Sequence, residues 1–248
     1  MNIEKYAMEL KLPYIRHNFE TLIKEAIHTK MEPAEFLENV LEHEHDHRLS
    51  NRIKNRFRYA KFPHKKHLDE FQTDKYNSEL QSKFTALKSL EFIDKKENII
   101  LIGNPGSGKT HLAIALGVKA CLENRRVLFI SVPNLIIELK EAMSSNQLQR
   151  YKRKFENFDL VILDELGYVS FDKSGCEILF NLLSNRNDKG SIIITTNLNF
   201  DRWEEIFKDP MLTGALIDRI THKAHVLDMT VETSYRFEET VNWMKLSK

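Results

Sequence analysis

The run Gly103-Asn104-Pro105-Gly106-Ser107-Gly108-Lys109-Thr110 constrains this chain more than any other stretch. It follows four apolar residues, Ile99-Ile100-Leu101-Ile102, and opens into His111-Leu112-Ala113-Ile114-Ala115-Leu116. Apolar strand, glycine-rich loop of the form G-x-x-x-x-G-K-T, then helix: that order predicts a phosphate-binding loop. Glycines let the backbone curl so that successive N–H groups converge on an anion. The helix behind the loop adds its unpaired N–H groups and the positive end of its dipole. Gly103 through Thr110, with His111 next in line, are therefore the predicted nucleotide-binding set. Lys109 is expected at the β- and γ-phosphates, and the Thr110 hydroxyl as a ligand of Mg²⁺. A bare glycine-rich turn between strand and helix would leave the Lys-Thr pair without a reason.

The rest of the chain supplies a sheet for that loop to sit on. Val127-Leu128-Phe129-Ile130, Leu160-Val161-Ile162-Leu163, Ile192-Ile193-Ile194 and Ala224-His225-Val226-Leu227 read as strands. Between them, Leu135, Ile136 and Leu139, then Ile178, Leu179, Leu182 and Leu183, recur at helical spacing. Strands that are continuous apolar runs, alternating with helices, predict an α/β fold: a parallel sheet covered by helices on both faces. Ligands then gather at the carboxyl ends of the strands.

Three features fall at those ends. Asp164-Glu165 closes the Leu160–Leu163 run, a Walker B arrangement in which Asp164 holds Mg²⁺ and Glu165 polarises the attacking water. A second carboxylate there argues for hydrolysis rather than transfer to a small acceptor. Thr195-Thr196-Asn197 follows the Ile192 run, and Asn197 is the expected contact to the γ-phosphate and the lytic water. An ordinary strand-to-turn asparagine is the alternative. Arg219, in Leu216-Ile217-Asp218-Arg219-Ile220, is the expected cation supplied to a neighbouring subunit's γ-phosphate, with Arg186 and Arg236 as weaker candidates. An exposed pair with Asp218 would be the unremarkable use of Arg219.

Residues 1–68 read as a small helical domain ahead of a nucleotide domain at 69–248. Ile15, Phe19, Leu22, Ile23, Ala26 and Ile27 form one apolar face behind Pro13. A second helix starts near Pro33 and runs through Leu49, Ile53 and Phe57 towards Phe62-Pro63. Charge divides sharply here. Residues 1–46 carry five Lys and Arg against ten acids, whereas residues 47–68 carry eight and no acid. Arg48, Arg52, Lys54, Arg56, Arg58 and Lys61, interleaved with Phe57, Tyr59 and Phe62, predict contact with a DNA backbone. A solvated helical face is the competing reading. Lys152 and Arg153, in a second basic cluster from Arg150 to Lys154, carry the same two readings. His43-Glu44-His45-Asp46-His47 fits the zinc pattern His-Glu-x-x-His, but a third ligand at family spacing is missing, so a solvated helix is expected. Residues 64–78 read as a polar connection.

Bulk properties set limits. The 248 residues are 42% hydrophobic and 29% charged, enough apolar matter for a real core. A net charge of +1 means that any nucleic-acid signal lies in the distribution of charge and not in its total. Cys121 and Cys176 are far apart in sequence and read as reduced thiols, so a cytoplasmic protein is expected. No apolar run approaches a membrane span, so no membrane partner is expected.

Taken together, the motifs resemble those of AAA+ ATPases of the initiator and helicase-loader group. Within it the chain is most similar to the IstB-type helpers of insertion-sequence transposition. The resemblance rests on Glu97 through Ala113, Leu163-Asp164-Glu165-Leu166-Gly167-Tyr168, Thr195-Thr196-Asn197, Leu216–Ile220 and Ser234-Tyr235-Arg236. Ala60-Lys61-Phe62-Pro63 extends it to the N-terminal helices. It implies an ASCE-type sheet, Asn197 as sensor 1, Arg219 as arginine finger and Arg236 near the nucleotide. It also implies ATP-dependent oligomers on duplex DNA, remodelling of that DNA, and recruitment of a partner transposase. Helicase loaders of the DnaC and DnaI kind share the core motifs and are the alternative. About thirty residues follow Arg219, so a C-terminal lid domain is not expected.

Overall fold

A computed structural model describes residues 2–168, 172–186, 188–231 and 234. The chain divides into two compact units, Met1–Asn55 and Arg56–Lys248. The first holds α1 (Ile3–Glu9), α2 (Pro13–Thr29) and most of α3 (Pro33–Ala60). The division thus falls within α3, and the boundary expected after residue 68 lies further along the chain.

In the first unit Pro13 occupies the opening turn of α2, where its missing N–H costs nothing. The next N–H groups, of Tyr14 and Ile15, donate to the Glu44 carboxylate at 2.9 and 3.1 Å. Glu44 is only 4% exposed and also accepts from Arg48 Nε at 2.9 Å. A buried carboxylate at a helix start satisfies orphan donors and complements the dipole. This explains the His-Glu-x-x-His sequence in α3. Its Glu caps a neighbouring helix, while His43 stacks on Tyr14 at 5.3 Å and His47 lies 5.7 Å from the same ring.

The second unit is built on five parallel strands: β1 (Asn98–Ile102), β2 (Val127–Ser131), β3 (Leu160–Leu166), β4 (Ser191–Thr196) and β5 (Ala224–Asp228). Their order in the sheet is β2-β3-β4-β1-β5. The strand carrying Thr195 therefore lies between the strands that lead to the glycine loop and to Asp164. Successive side chains point to opposite faces, and both faces are buried. Ile100, Ile102, Val161, Leu163, Ile192 and Ile194 face α7 (Val132–Ser144), α9 (Lys173–Ser184) and α11 (Pro210–Thr221). Ile99, Leu101, Leu160, Ile162 and Ile193 face α6 (Lys109–Leu122), together with α4 (Ser78–Leu87) and α5 (Glu91–Lys95). The parallel sheet with helices on both faces is as the apolar runs imply. Two further helices, α8 (Leu148–Glu156) and the short α10 (Glu204–Phe207), complete the described α-helices, and Leu68–Glu70 and Phe200–Arg202 form single 3-10 turns. Among the described residues no helix is long and apolar enough to cross a membrane.

The end of α3 and the stretch 64–78, read as a connection, both contribute to the core. Phe57, Phe62, Leu68 and Phe71 pack into the core on the α6 face. Phe62 sits beside Phe129 at 6.3 Å, and Gly117 makes room for it. A Cβ at Gly117 would meet Ile162 at 2.7 Å and the Phe62 ring at 2.9 Å.

Candidate nucleotide site and basic surface

β1 ends at Ile102 and α6 begins at Lys109, so the glycine run is the whole connection between them. Gly108, at the start of α6, has φ 89°, and Gly106 has φ 78°. Both values lie in the left-handed region that side chains avoid, which is why glycine stands at these turns. Lys109 Nζ curls back over the loop and donates to the carbonyls of Gly103 and Asn104 at 2.8 and 2.9 Å. Asn104 Nδ2 in turn donates to the Val231 carbonyl at 2.7 Å. A cavity of about 580 Å³ opens along Pro105 to His111. That falls in the range of ~300–1,000 Å³ typical of small-molecule sites.

The carboxyl ends of β3 and β4 close the cavity. Thr110 Oγ1 donates to Asp164 Oδ1 at 2.9 Å, and Thr195 Oγ1 donates to the same atom at 2.6 Å. Asp164 is 6% exposed, so these donors are what hold its charge out of water. In a flat strand Asp164 and Glu165 would point to opposite faces. Here β3 bulges. Its register with β4 shifts between Leu163 and Leu166, and Glu165 takes φ 64°. The Glu165 N–H leaves the ladder and donates to Thr195 Oγ1 at 3.0 Å. The bulge aims the exposed Glu165 carboxylate into the cavity, beside Thr195 and Thr196. Backbone strain of this kind concentrates at functional sites.

Other expected residues lie at varied distances from this centre. Asn197 is not among the side chains that line the cavity. Its Oδ1 is buried close to Gly167 and has no hydrogen-bond partner among the described residues. Arg219 is exposed on the last turn of α11, its guanidinium 5.2 Å from the Phe180 ring, and it too is not among the cavity's lining residues. Arg186, a weaker candidate for the same role, is fully buried. It donates to the carbonyls of Phe155, Phe158 and Ser191 at 2.8, 2.7 and 3.2 Å. Burial pulls its pKa down to about 10, against the opposing pull of Asp159 and Glu156. Arg186 is a brace of the fold and cannot reach a neighbour's phosphate. Arg236 lies outside the described residues.

Several lining residues were not singled out by sequence. His64, Lys66, Glu70, Phe71 and Gln72, all from the stretch read as a connection, form one wall of the cavity. Tyr76 is buried, and its hydroxyl donates to the Ser107 carbonyl inside the glycine loop. Phe71 stacks on Tyr76 at 6.0 Å and meets His111 edge-on at 5.5 Å. The one local signal was a pair of aromatic residues set among charges. Burial, then the charge on Lys66, holds the His111 imidazole below its ordinary value of 6.5. Its Nε2 is buried, with no hydrogen-bond partner among the described residues.

The residues expected to meet DNA divide by position. Arg48 is held within the helical unit by Glu44 and by the Lys11 carbonyl. Arg52 and Lys54 are exposed on α3. At the end of the same helix Arg56 donates to the carbonyl and side chain of Asn124, both at 3.2 Å. Arg58 is exposed against Tyr59, and Lys61 pairs with Glu138 at 2.9 Å. On α8, Lys152 is half-buried and Arg153 exposed.

Comparison with known proteins follows this geometry closely. The family described as IstB-like ATP binding protein matches residues 5–242. An insertion sequence IS21 putative ATP-binding protein of Pseudomonas aeruginosa is 35% identical over 237 residues, spanning 96% of this chain and 89% of that protein. The corresponding IS232 protein of Bacillus thuringiensis subsp. berliner is 34% identical, spanning 93% of this chain and 92% of that one. A crystal structure of the DnaC helicase loader superimposes with a TM-score of 0.51 at 20% identity, covering 67% of this chain and 96% of that one. That likeness is one of fold. With a family match across nearly its whole length, the chain belongs to the IstB-like ATP-binding proteins.

Proposed function

We propose that this protein hydrolyses ATP with Mg²⁺, assembles through that ATP into an oligomer on duplex DNA, remodels the duplex, and recruits and stimulates the transposase of an insertion sequence. The observation that carries the catalytic part is the hydroxyl–carboxylate chain Thr110–Asp164–Thr195, with Glu165 turned into the same cavity. The relatives named as insertion-sequence ATP-binding proteins support the biological part.

Gly103 to Gly108 and the first turn of α6 would cradle the phosphates through backbone N–H groups. The Lys109 ammonium would move from the loop carbonyls to the β- and γ-phosphates. The Thr110 hydroxyl and Asp164 carboxylate are hard oxygen donors beside the phosphate cradle, and they fit Mg²⁺. When bound, the ion supplies charge neutralisation between the β- and γ-phosphates. Glu165 takes the proton of a water as its oxygen bonds to the γ-phosphorus and the bond to the β–γ bridging oxygen breaks, releasing ADP and phosphate. Asn197, whose amide oxygen has no partner among the described residues, would hold that water or the γ-phosphate. Arg219, exposed on its own subunit, would reach the γ-phosphate of the next. His111 and the wall from His64 to Gln72 would enclose the rest of the nucleotide.

Arg52, Lys54, Arg58 and Arg153 are proposed as the DNA-facing set, with Arg48, Arg56, Lys61 and Lys152 as weaker members. The test is ATP turnover with and without duplex, together with duplex affinity as a function of salt. A phosphate-contacting face requires affinity to fall steeply as salt rises. Silence towards ATP in the presence of Mg²⁺ and duplex would end this reading. The helicase-loader alternative is separated by offering a replicative helicase and the adjacent transposase as competing baits. Preferential capture of the helicase would favour it.

A further inference from the structure

The two basic clusters of the sequence meet in space, though about ninety residues separate them. Arg56, Arg58 and Lys61 at the end of α3 share a surface with Arg126 and with Lys154 of α8. Two adjoining clefts of about 180 and about 80 Å³ have Tyr59, Lys154 and Phe158 in common. They lie where β2 and β3 begin, at the opposite end of the sheet from Gly103, Glu165 and Thr195. Both are smaller than the ~300 Å³ lower bound of ordinary cofactor sites.

Charge and shape narrow what could bind. The acids at this surface are already committed. Glu138 accepts from Lys61 at 2.9 Å and from the Tyr151 hydroxyl at 2.8 Å. Asp159 accepts from the Arg126 backbone at 2.7 Å and from its guanidinium at 3.0 Å. The balance is positive, which suits a polyanion. Tyr59 is 57% exposed, with the Arg58 guanidinium 5.0 Å from its ring centre and bonded to its hydroxyl at 3.2 Å. The ring stands on a fixed support, because the next residue, Ala60, is fully buried and Phe62 is packed against Phe129. An acidic protein would be met by the charges alone and has no use for that ring. A nucleic-acid strand uses both, phosphates on the cations and a base on the aromatic face.

We propose that this surface holds an unpaired stretch of DNA strand, with one base stacked on Tyr59 and the flanking phosphates on Arg58 and Lys154. The inference rests on the DNA-binding reading above and adds that the duplex is locally opened when bound. It makes Tyr59 a residue that discriminates single from double strands, a property that no phosphate-contacting lysine has.

The test uses the full chain, a labelled twenty-nucleotide oligo-dT and a labelled twenty-base-pair duplex, with fluorescence anisotropy at 50 and 200 mM salt. Tyr59→Ala should weaken oligo-dT binding about five- to a hundredfold with an unchanged salt slope, and duplex binding far less. Tyr59→Phe should restore it, since the face and not the hydroxyl is used. Lys154→Ala should weaken both probes and lower the salt slope by about one. An unchanged melting temperature of Tyr59→Ala serves as the fold control. If the parent binds both probes and Tyr59→Ala matches it on oligo-dT, this inference alone is overturned. Equal competition by polyglutamate and oligo-dT, indifferent to Tyr59, would likewise overturn it in favour of an acidic protein partner. A parent that binds neither probe overturns the DNA-binding reading as well.

Discussion

Replacing Thr195 by Val keeps the shape of the side chain and removes only the hydroxyl. That hydroxyl does two things at once. It donates to Asp164 Oδ1 at 2.6 Å and accepts the Glu165 N–H at 3.0 Å. Thr195 is 2% exposed, so water cannot readily take its place. The bond to a carboxylate contributes about 1.5–3 kcal/mol, and the part-buried Glu165 N–H, left without that acceptor, adds up to about 1 kcal/mol. The two are not independent, so a loss of about 3 kcal/mol is expected, or a drop of roughly 6–12 °C in melting temperature for a unit of this size. The larger effect should be on chemistry. The bulge that aims Glu165 is pinned through that N–H, and a displacement near 1 Å costs about a hundredfold in rate. Turnover of ATP should therefore fall about a hundredfold with KM little changed, because the glycine loop is untouched. Thr196→Val is the control. Among the described residues its hydroxyl bonds the turn at Leu198, at 3.1 and 3.4 Å, and neither Asp164 nor Glu165. It should lower stability by about 1 kcal/mol and, although Thr196 lines the cavity, slow turnover far less than Thr195→Val does. If Thr195→Val hydrolyses ATP like the parent, or Thr196→Val is equally impaired, the link from Thr195 to Glu165 is not what positions the base.

Further expectations concern the rest of the chain. The folded protein protonates His111 at a lower pH than the unfolded chain does, whose value is about 6.5. Nucleotide-free stability should therefore be whole above that value and decline as pH falls below it, since there the unfolded state binds more protons. His111→Asn should flatten the decline in the urea midpoint between pH 7.5 and 5.5, and an unchanged slope would refute this. Arg186→Met strands three carbonyls and should cost about 3–5 kcal/mol, read as a fall of roughly 10 °C in melting temperature; parental stability would show that the buried arginine is dispensable. Glu44→Ala should fray the start of α2. Amide exchange at Tyr14 and Ile15 should then quicken about tenfold, in line with a cap contribution of ~1–2 kcal/mol. Unaltered exchange would mean that the carboxylate is not the cap.

What could be read in advance was whatever repeats locally. Continuous apolar runs mark β1 to β4 because both faces of each are buried, and the loop glycines mark a backbone that no other residue tolerates. The edge strand β5 was harder, since only Leu227 of its five residues is buried while His225 and Val226 are exposed. The bulge at Glu165 leaves no trace in sequence. It arises from pairing with β4, and so did the choice of Thr195 as the residue joining the two acids. The wall from His64 to Gln72 was hidden for a similar reason. Its Phe71 meets His111, forty residues along the chain, and no local period reports that. The acid-free run from 47 to 68 looked uniform. Its members part company only when Glu44, Asn124 and Glu138 are seen to hold Arg48, Arg56 and Lys61. Lys154, the last member of the second basic cluster, joins Arg58 and Tyr59.

In the proposed function, the ATP state of one cleft governs assembly on DNA. Sedimentation velocity of Glu165→Gln with duplex DNA, in ATP·Mg²⁺ and then in ADP·Mg²⁺, tests this most directly. The variant should bind ATP without consuming it and sediment with duplex as a large oligomer in ATP only, and Lys109→Ala should form none. The same small species in both nucleotides, or assembly that survives loss of Lys109, would contradict the account.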